Sequence, residues 1–307
     1  MQLSLFAPLF IITAAILWAV DGIILRPALY SLPVALVVFI EHALAFLIML
    51  PFFIRERKEL KNLKKADWGA FFWVALFGGA LGTMFITKAL FYVSFVNLSI
   101  VVLIQKLQPI FALLLAALIL KEKLPRKFFF WAATAVVATY FVAFAEFLPN
   151  FATGEKTIYA ALFALGAAFA WGSSTVFSKR ALKQVSFRMG TYLRFGLTTL
   201  IMFFIATAFR DFNKISEITS HQLLIFIIII FTSGGLAMFL YYYGLKRVKA
   251  SVSTICELAF PLSAILLEFL IRGRMLSWSQ WLGAIVLLVA IYQVSILQKN
   301  IKTVTPL

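Results

Sequence analysis

Several ionisable side chains of this sequence lie inside long apolar runs, and they are the residues best placed to do chemistry. Lys106 lies in the stretch Gln105-Lys106-Leu107-Gln108-Pro109, and Glu257 lies in a comparable apolar run. A charged group removed from water needs a partner or a hydrated cavity. These residues therefore predict a polar site inside an otherwise apolar protein. The other members of the set are Asp21, Glu41, His42, Arg194 and Glu268.

The composition indicates what kind of protein surrounds this site. Of the 307 residues, 63% are hydrophobic and 13% are charged, and the mean hydropathy is +1.00. A soluble domain is only about 45–50% apolar, so a water-soluble globule is excluded and a membrane protein is expected. The net charge of +16 falls mostly in short stretches between apolar runs. Such placement orients membrane spans and does not indicate a nucleic-acid partner.

Apolar runs of about 20 residues, the length that crosses a hydrocarbon core, occur ten times. An even number of spans places both termini on one side of the membrane. With the N-terminus in the cytoplasm, 19 Lys and Arg residues fall in inner segments and six in outer ones. The sequence thus predicts an all-α, multi-pass protein of the cell inner (plasma) membrane with cytoplasmic termini. The spans begin near Ala7, Pro33, Trp68, Phe95, Lys127, Thr157, Arg188, His221, Ala250 and Ser277.

The two halves of the chain resemble each other. A shift of 153 residues aligns 17–21 with 170–174, which pairs Trp18 with Trp171, and a shift of 152 pairs Pro109 with Pro261. Since each half holds five spans, an odd number, the second half enters the membrane in the opposite orientation. The expected domains are two inverted five-helix repeats, 1–150 and 151–300, and a cytoplasmic tail, 301–307. Inverted repeats are typical of secondary transporters with a site near the midplane.

These features resemble the EamA family of the drug/metabolite transporter superfamily. The resemblance rests on the two five-span halves, the paired Trp and Pro residues, and the segment Leu118-Ile119-Leu120-Lys121-Glu122-Lys123-Leu124. It implies an inner-membrane carrier, often an exporter of amino acids or other small metabolites, with a central cavity lined by both halves. One departure is that Glu122, at the inner end of the fourth helix, has Arg274 as its counterpart in the second half.

Lys106 is the sharpest candidate for substrate binding, because Pro109 removes a backbone donor from its helix. We expect Lys106 to pair with a carboxylate in the empty carrier and with an anionic substrate group in the loaded one. A permanent ion pair between the halves is the alternative, and Asp21, Glu41 and Glu257 are the possible partners. The expected substrate-binding residues are Lys106, Gln105, Asp21, Trp18, Trp171, Ser174, Glu257 and Arg194. Pro109 and Pro261 are expected to weaken helices that must bend.

Proton coupling is expected to use residues that titrate inside the membrane. Thr254, Glu257, Pro261, Ala264 and Glu268 follow a helical spacing and form one stripe, which predicts either a proton path or buried groups satisfied by Ser and Tyr hydroxyls. The coupling candidates are Glu41, His42, Glu257 and Glu268. The run Tyr241-Tyr242-Tyr243 suits an interfacial belt as well as the site. The pair Gly78-Gly79 favours close helix packing.

The sequence therefore predicts a carrier that exports a small amphipathic metabolite, an amino acid or a related compound, by alternating access. A nucleotide-sugar or sugar-phosphate exchanger is the alternative, although it would need more Lys and Arg in the cavity. An intramembrane enzyme is disfavoured because the sequence contains no catalytic motif, and a channel is disfavoured because the inverted repeat and the asymmetric intramembrane charges favour a carrier. The expected partners are the substrate, the lipid bilayer and protons, with no cofactor or metal, in a monomer or homodimer.

Overall fold

The protein is built from helices that run back and forth through one bundle. The computed structural model describes residues 6–92, 101, 104–143, 157–273 and 275–304, and these residues form helices and short connections without a β-strand. The helices are α1 (Ala7–Val20, continued by π-helical Asp21–Leu25 and the 3-10 turn Arg26–Leu29), α2 (Val34–Glu56), α3 (Lys65–Trp73, π-helical Val74–Leu81 and Gly82–Tyr92), α4 (Gln108–Ile119), α5 (Arg126–Ala143), α6 (Thr157–Ala181), α7 (Phe187–Ala208), α8 (Ser220–Ile229, π-helical Ile230–Gly234 and Gly235–Arg247), α9 (Ala250–Cys256 and Ala259–Arg272) and α10 (Trp278–Val304).

The helices have the length and the surface of membrane spans. In the described residues, eight helical segments of 20 to 29 residues are long and apolar enough to cross a bilayer. Large apolar side chains point outward, among them Leu118 and Leu270, each 73% exposed. A surface of this kind is stable in lipid and not in water. The expected span starts lie within three residues of the observed helix starts, except Phe95, which lies outside the described residues.

Helix packing pairs elements from the two parts of the chain. Helix α1 packs on α8, and α3 packs on α6; α2 packs on α7, α4 on the first piece of α9, and α5 on α10. If α1–α5 exchange places with α6–α10, every one of these pairs is recovered. The contacts between helices therefore follow the repeat that the sequence contains.

Several helices are interrupted where the two parts meet. The π-helical segments of α3 and α8 contain Gly78-Gly79 and Gly234, which are matching positions of the repeat. Lys106 and Leu107 form a turn before α4, and α9 is broken at 257–258. Pro109 and Pro261 lie at the second and third residues of the helical pieces that follow, because proline is tolerated in the first turn of a helix. The breaks thus lie one turn before each proline.

Polar contacts close the end of the bundle that holds the α4–α5, α6–α7 and α8–α9 connections, which we call the basic end. The Glu122 carboxylate accepts from the backbone N–H of Ala250 at 2.7 Å and of Ser251 at 3.1 Å. Lys179 donates to the Leu245 carbonyl at 2.8 Å, and Lys246 donates to the carbonyl of Val185. These side chains satisfy free backbone groups at helix termini. The Glu122 contacts join the two parts of the chain, whereas the contacts of Lys179 and Lys246 lie within the second part.

Candidate functional site

A central cavity of about 570 Å³ lies between the two parts of the chain, within the range of small-molecule sites. It is lined by residues of α1–α3, the two breaks, and α6–α8. All eight expected substrate-binding residues line it, as do Glu41, His42, Pro109 and Pro261. Glu268 is not among the lining residues. The eight are Lys106, Gln105, Asp21, Trp18, Trp171, Ser174, Glu257 and Arg194.

Glu257 is held at the α9 break by neutral donors. Its Oε1 accepts from the Tyr241 hydroxyl at 2.9 Å, from Ser253 at 3.1 Å and from Thr175 at 3.4 Å. Its Oε2 accepts from the Gln108 amide at 3.2 Å. Three other helices thus supply donors to one carboxylate. The hydroxyl contacts match one of the two expectations for the stripe on α9, that of a buried acid satisfied by Ser and Tyr.

Aromatic rings form one wall of the cavity beside this carboxylate. The centroids of the Trp18 and Tyr241 rings lie 5.3 Å apart, and Trp18 Nε1 donates to the Ser233 carbonyl at 3.0 Å. Trp171 approaches α3 so closely that a Cβ at Gly82 would lie 2.6 Å from its Nε1. Both Trp rings are therefore fixed in position and present apolar faces to a ligand.

Asp21 and Glu41 pair with a residue that the sequence placed outside the spans. Arg26 Nη2 lies 2.5 Å from Asp21 Oδ2 and 3.2 Å from Glu41 Oε1. The 3-10 turn at the end of α1 brings Arg26 back over Asp21, five residues earlier. The expected pairing of Lys106 with Asp21 or Glu41 is therefore not observed, because both carboxylates form their ion pairs with Arg26.

Lys106 lies in the cavity wall without an ion pair to any described residue. Its Nζ lies 5.9 Å from the centroid of the Phe260 ring, at cation–π distance. Glu257, the third expected partner, is held by neutral donors instead. Arg194 differs, since its Nη2 donates to the Gly78 carbonyl at 3.1 Å and its Nη1 lies 3.5 Å from Ser174 Oγ. Of these two cations, Lys106 has the freer donors for a ligand.

Two further expectations are corrected by the positions of the side chains. Tyr241 and Tyr242 are 4% and 0% exposed, so neither belongs to an interfacial belt; both face α6 and donate or accept hydrogen bonds there. Of the stripe on α9, Thr254, Glu257 and Pro261 line the cavity, whereas Ala264 and Glu268 are not among its lining residues. His42 is held by a contact of 2.9 Å between its Nδ1 and the Val38 carbonyl.

Sequence reasoning missed Arg26, Gln108 and Thr175 as members of the site, and it left Tyr241 open between the site and an interfacial belt. Gln108 and Thr175 each carried a signal, since Gln108 adjoins Pro109 and Thr175 follows the Trp171 motif by four residues, one helical turn. Arg26 carried none, because its position near the end of a span is typical of an interfacial residue.

Among the described residues, the cavity reaches the protein surface at the α1–α2 connection. At the α1–α2 connection it is lined by Leu29, Tyr30 and Pro33, and Tyr30 is 63% exposed. Glu122, Lys179 and Lys246 of the basic end are absent from its lining. The described conformation thus gives access from the α1–α2 side, and the contacts of the basic end lie outside the described cavity lining.

Comparison with known proteins places this architecture in a family. The model of the EamA-like transporter family matches residues 5–144 and again 158–296. The riboflavin transporter ImpX of Fusobacterium nucleatum subsp. nucleatum is 47% identical over 288 residues, which are 94% of this chain and 96% of that protein. The uncharacterized transporter sll1164 of Synechocystis sp. is 28% identical over 245 residues, 75% of this chain and 66% of that protein.

A solved crystal structure gives the same result for the fold alone. It superposes with a TM-score of 0.75 over 96% of this chain and 97% of its own, at 17% identity. The family model covers most of the chain in two successive matches, and the resemblance noted in the sequence is confirmed. The protein is a multi-pass membrane transporter and not an enzyme, and it belongs to the EamA-like transporter family.

Proposed function

We infer that this protein carries riboflavin, or a flavin of the same shape and charge, across the inner (plasma) membrane by alternating access. The identity of 47% to a riboflavin transporter extends over 94% of the chain. Amino-acid export, the first expectation from the sequence, has no support from that relative. The observation that carries the flavin proposal is the cavity itself, where an aromatic wall adjoins one carboxylate and one amide.

The cavity offers complementary surfaces to an isoalloxazine ring. This ring is planar and has one polar edge with an N–H donor between two carbonyls. Trp18 and Tyr241 supply aromatic faces for the plane. The polar edge would donate to Glu257 and replace its two longest contacts, those from Gln108 at 3.2 Å and Thr175 at 3.4 Å. The released Gln108 amide would then donate to a ring carbonyl.

The charges of the cavity suit a substrate without net charge. Three acidic side chains, Asp21, Glu41 and Glu257, and three basic ones line it among the described residues. Riboflavin is neutral, whereas a sugar phosphate or nucleotide sugar would need an excess of Lys and Arg. A zwitterionic amino acid meets the charge requirement but would leave the aromatic wall unused. The exchanger and amino-acid alternatives are therefore less well supported than the flavin.

The proposed architecture has ten spans in two inverted halves, 1–150 and 151–300, with both termini in the cytoplasm. Helix pairings that survive exchange of the halves support it, as do the family matches to 5–144 and 158–296. In this orientation the cavity opens to the outside and the basic end closes it on the cytoplasmic side. Alternating access would require the contacts of Glu122 with Ala250 and Ser251 to separate, because they join the two parts of the chain.

The test is counterflow of labelled riboflavin in proteoliposomes, with amino acids and a phosphorylated flavin as competitors. We expect saturable riboflavin counterflow, competition by unlabelled riboflavin, and no competition by amino acids. Counterflow of amino acids alone would reject the flavin proposal.

A Glu257→Gln variant tests the role of the carboxylate. Hydrogen bonds to charged groups contribute about 1.5–3 kcal/mol, so riboflavin binding measured by flavin fluorescence should weaken about 10- to 150-fold. Tyr241→Phe removes one donor to Glu257 but keeps the ring, and should weaken binding less than tenfold. Equal effects of the two variants would contradict a direct contact between Glu257 and the ligand.

A further inference from the structure

Three charged side chains near the cavity opening form a cluster whose charges do not balance. The Arg26 guanidinium contacts Asp21 Oδ2 through Nη2 at 2.5 Å and through Nε at 3.1 Å, and its Nη2 lies 3.2 Å from Glu41 Oε1. Asp21 is 7% exposed and Glu41 is 8% exposed. One guanidinium therefore faces two buried carboxylates. When both are ionised, the cluster holds an excess negative charge.

Part of the acceptor capacity of this cluster is unused. Asp21 Oδ1 and Glu41 Oε1 are inaccessible to solvent and have no hydrogen-bond donor among the described residues; Glu41 Oε1 is within ion-pair distance of Arg26 but outside hydrogen-bond geometry. A buried acceptor without a donor is costly, and two like charges that share a site disfavour each other. A proton on one of these oxygens would lower both costs at once.

We propose that Asp21 and Glu41, bridged by Arg26, bind one proton that crosses the membrane together with the substrate. This rests on the function proposed above and adds the coupling ion and its site. Arg26 keeps the two carboxylates close together and neutralises one of them. The proton neutralises the other.

The other titratable groups of the cavity are less suited to this role. Glu257 already accepts from four donors, so its charge is compensated. His42 is held by the contact of 2.9 Å between its Nδ1 and the Val38 carbonyl, and its ring lies 5.1 Å from the Phe195 ring. Lys106 and Arg194 are cations, and Tyr30 and Tyr241 are phenols. Among the described lining residues, the cluster is where an added positive charge is most needed.

The position of the cluster favours co-transport over exchange. Asp21 and Arg26 lie at the end of α1 and Glu41 lies on α2, whereas the donors to Glu257 come from α6, α8 and the two helix breaks. No hydrogen bond links the two groups of residues in the described part of the chain. Substrate and proton can therefore occupy one cavity together. An inward proton gradient would then drive uptake, in contrast to the export that the family resemblance implied.

The first test is riboflavin accumulation in proteoliposomes under an imposed pH gradient. At one proton per substrate, a gradient of one pH unit supports about tenfold accumulation, and a membrane potential should add to it because a neutral substrate and a proton carry one charge. We expect Glu41→Gln to lose accumulation but to retain riboflavin exchange at equal pH. Asp21→Asn is the second variant. Glu217→Gln, in an exposed pair with Lys214, is the control and should accumulate normally.

Two results would overturn the proposal while leaving riboflavin transport intact. Accumulation driven by a sodium gradient at equal pH would replace the proton by a metal ion. Net riboflavin uptake by the wild type that responds to neither a pH gradient nor a potential, with counterflow retained, would remove coupling altogether. Absence of riboflavin counterflow itself would reject the proposed substrate instead.

A second test does not depend on the substrate. Infrared difference spectra of the protein in lipid, recorded across pH, should contain the C=O band of a protonated carboxyl group. The band should be lost or shifted in Glu41→Gln and retained in Glu268→Gln, whose side chain does not line the cavity. Loss of the band in Glu268→Gln alone would place the proton on α9 and contradict the proposal.

Discussion

At the scale of single residues, the cations of the cavity differ in what their removal would leave behind. Arg26 compensates two buried carboxylates, so Arg26→Met leaves them without a counter-charge and should destabilise the protein by about 3–5 kcal/mol. Lys106 has no ion pair among the described residues, so Lys106→Met should leave the melting temperature unchanged or slightly raised while riboflavin transport falls more than tenfold. Thermal unfolding measures the difference in stability between the two variants, and riboflavin counterflow measures the difference in transport.

The control for this pair is Lys214→Met. Lys214 forms an exposed ion pair with Glu217 at 2.6 Å, and such pairs contribute about 0–1 kcal/mol, so stability and transport should both stay close to the wild type. A Lys106→Met variant that unfolds as readily as Arg26→Met would show that Lys106 has a structural partner. A Lys106→Met variant that transports riboflavin normally would show that Lys106 does not contribute to the substrate site.

Which residues enter the cavity could be predicted from the sequence, but which of them pair could not. Ionisable groups in apolar runs are costly to bury, so Asp21, Glu41 and Glu257 were identifiable one at a time. Pairing depends on how α1 and α2 approach each other, and Arg26 reaches both acids only because a π-helical segment and a 3-10 turn reshape the end of α1. No local pattern in the sequence encodes that change of helix geometry.

At the scale of elements, α3 packs so closely against α6 and α7 that no side chain fits at Gly78. A Cβ there would lie 2.0 Å from Ser174 Oγ and 3.3 Å from Arg194 Nη1. We expect Gly78→Ala to displace α6 and α7 from the cavity and to destabilise the protein by about 1–3 kcal/mol, with weaker riboflavin binding. Thermal unfolding and flavin fluorescence report the two effects.

Gly69 provides a matched control on the same helix. Nothing lies within 4 Å of a Cβ at Gly69, so Gly69→Ala should be neutral or stabilising by up to about 1 kcal/mol. Combining Gly78→Ala with Ser174→Gly should recover part of the lost stability, because the clashing hydroxyl is removed. Equal losses in the Gly69 and Gly78 variants would contradict a packing role specific to Gly78.

The starts of the helices could be predicted from the sequence because apolar runs end at charged or capping residues. The positions of the breaks inside helices could be predicted only to within about one turn. The expected weak points were Pro109 and Pro261. The breaks lie before them, at Lys106-Leu107 and 257–258, since each proline begins a new helical piece. The result places Lys106 and Glu257 at the ends of helical pieces, where backbone groups are free. This feature is known from transporter sites.

At the scale of the whole molecule, the orientation determines which compartment the open end of the cavity faces. Basic residues are three times as frequent in the segments assigned to the inner side as in the outer ones, and the α1–α2 connection belongs to the outer side in that assignment. With that assignment and the proposed co-transport of a proton, the carrier in the described conformation would bind its substrate from the outer face.

Cysteine accessibility tests this orientation and the number of spans together. Cys256 is buried, and in a Cys256→Ser background single cysteines replace the exposed residues Tyr30, Lys123 and Lys183. A membrane-impermeant maleimide should label Tyr30→Cys in intact cells and Lys183→Cys only after permeabilisation. The reverse labelling pattern would show that the protein has the opposite orientation.

The Lys123→Cys variant tests the number of spans, because α4, at 12 residues, is short for a span. If α4 and α5 both cross the membrane, Lys123→Cys is protected in intact cells; if neither crosses, it is labelled together with Tyr30→Cys, and the ten-span proposal fails.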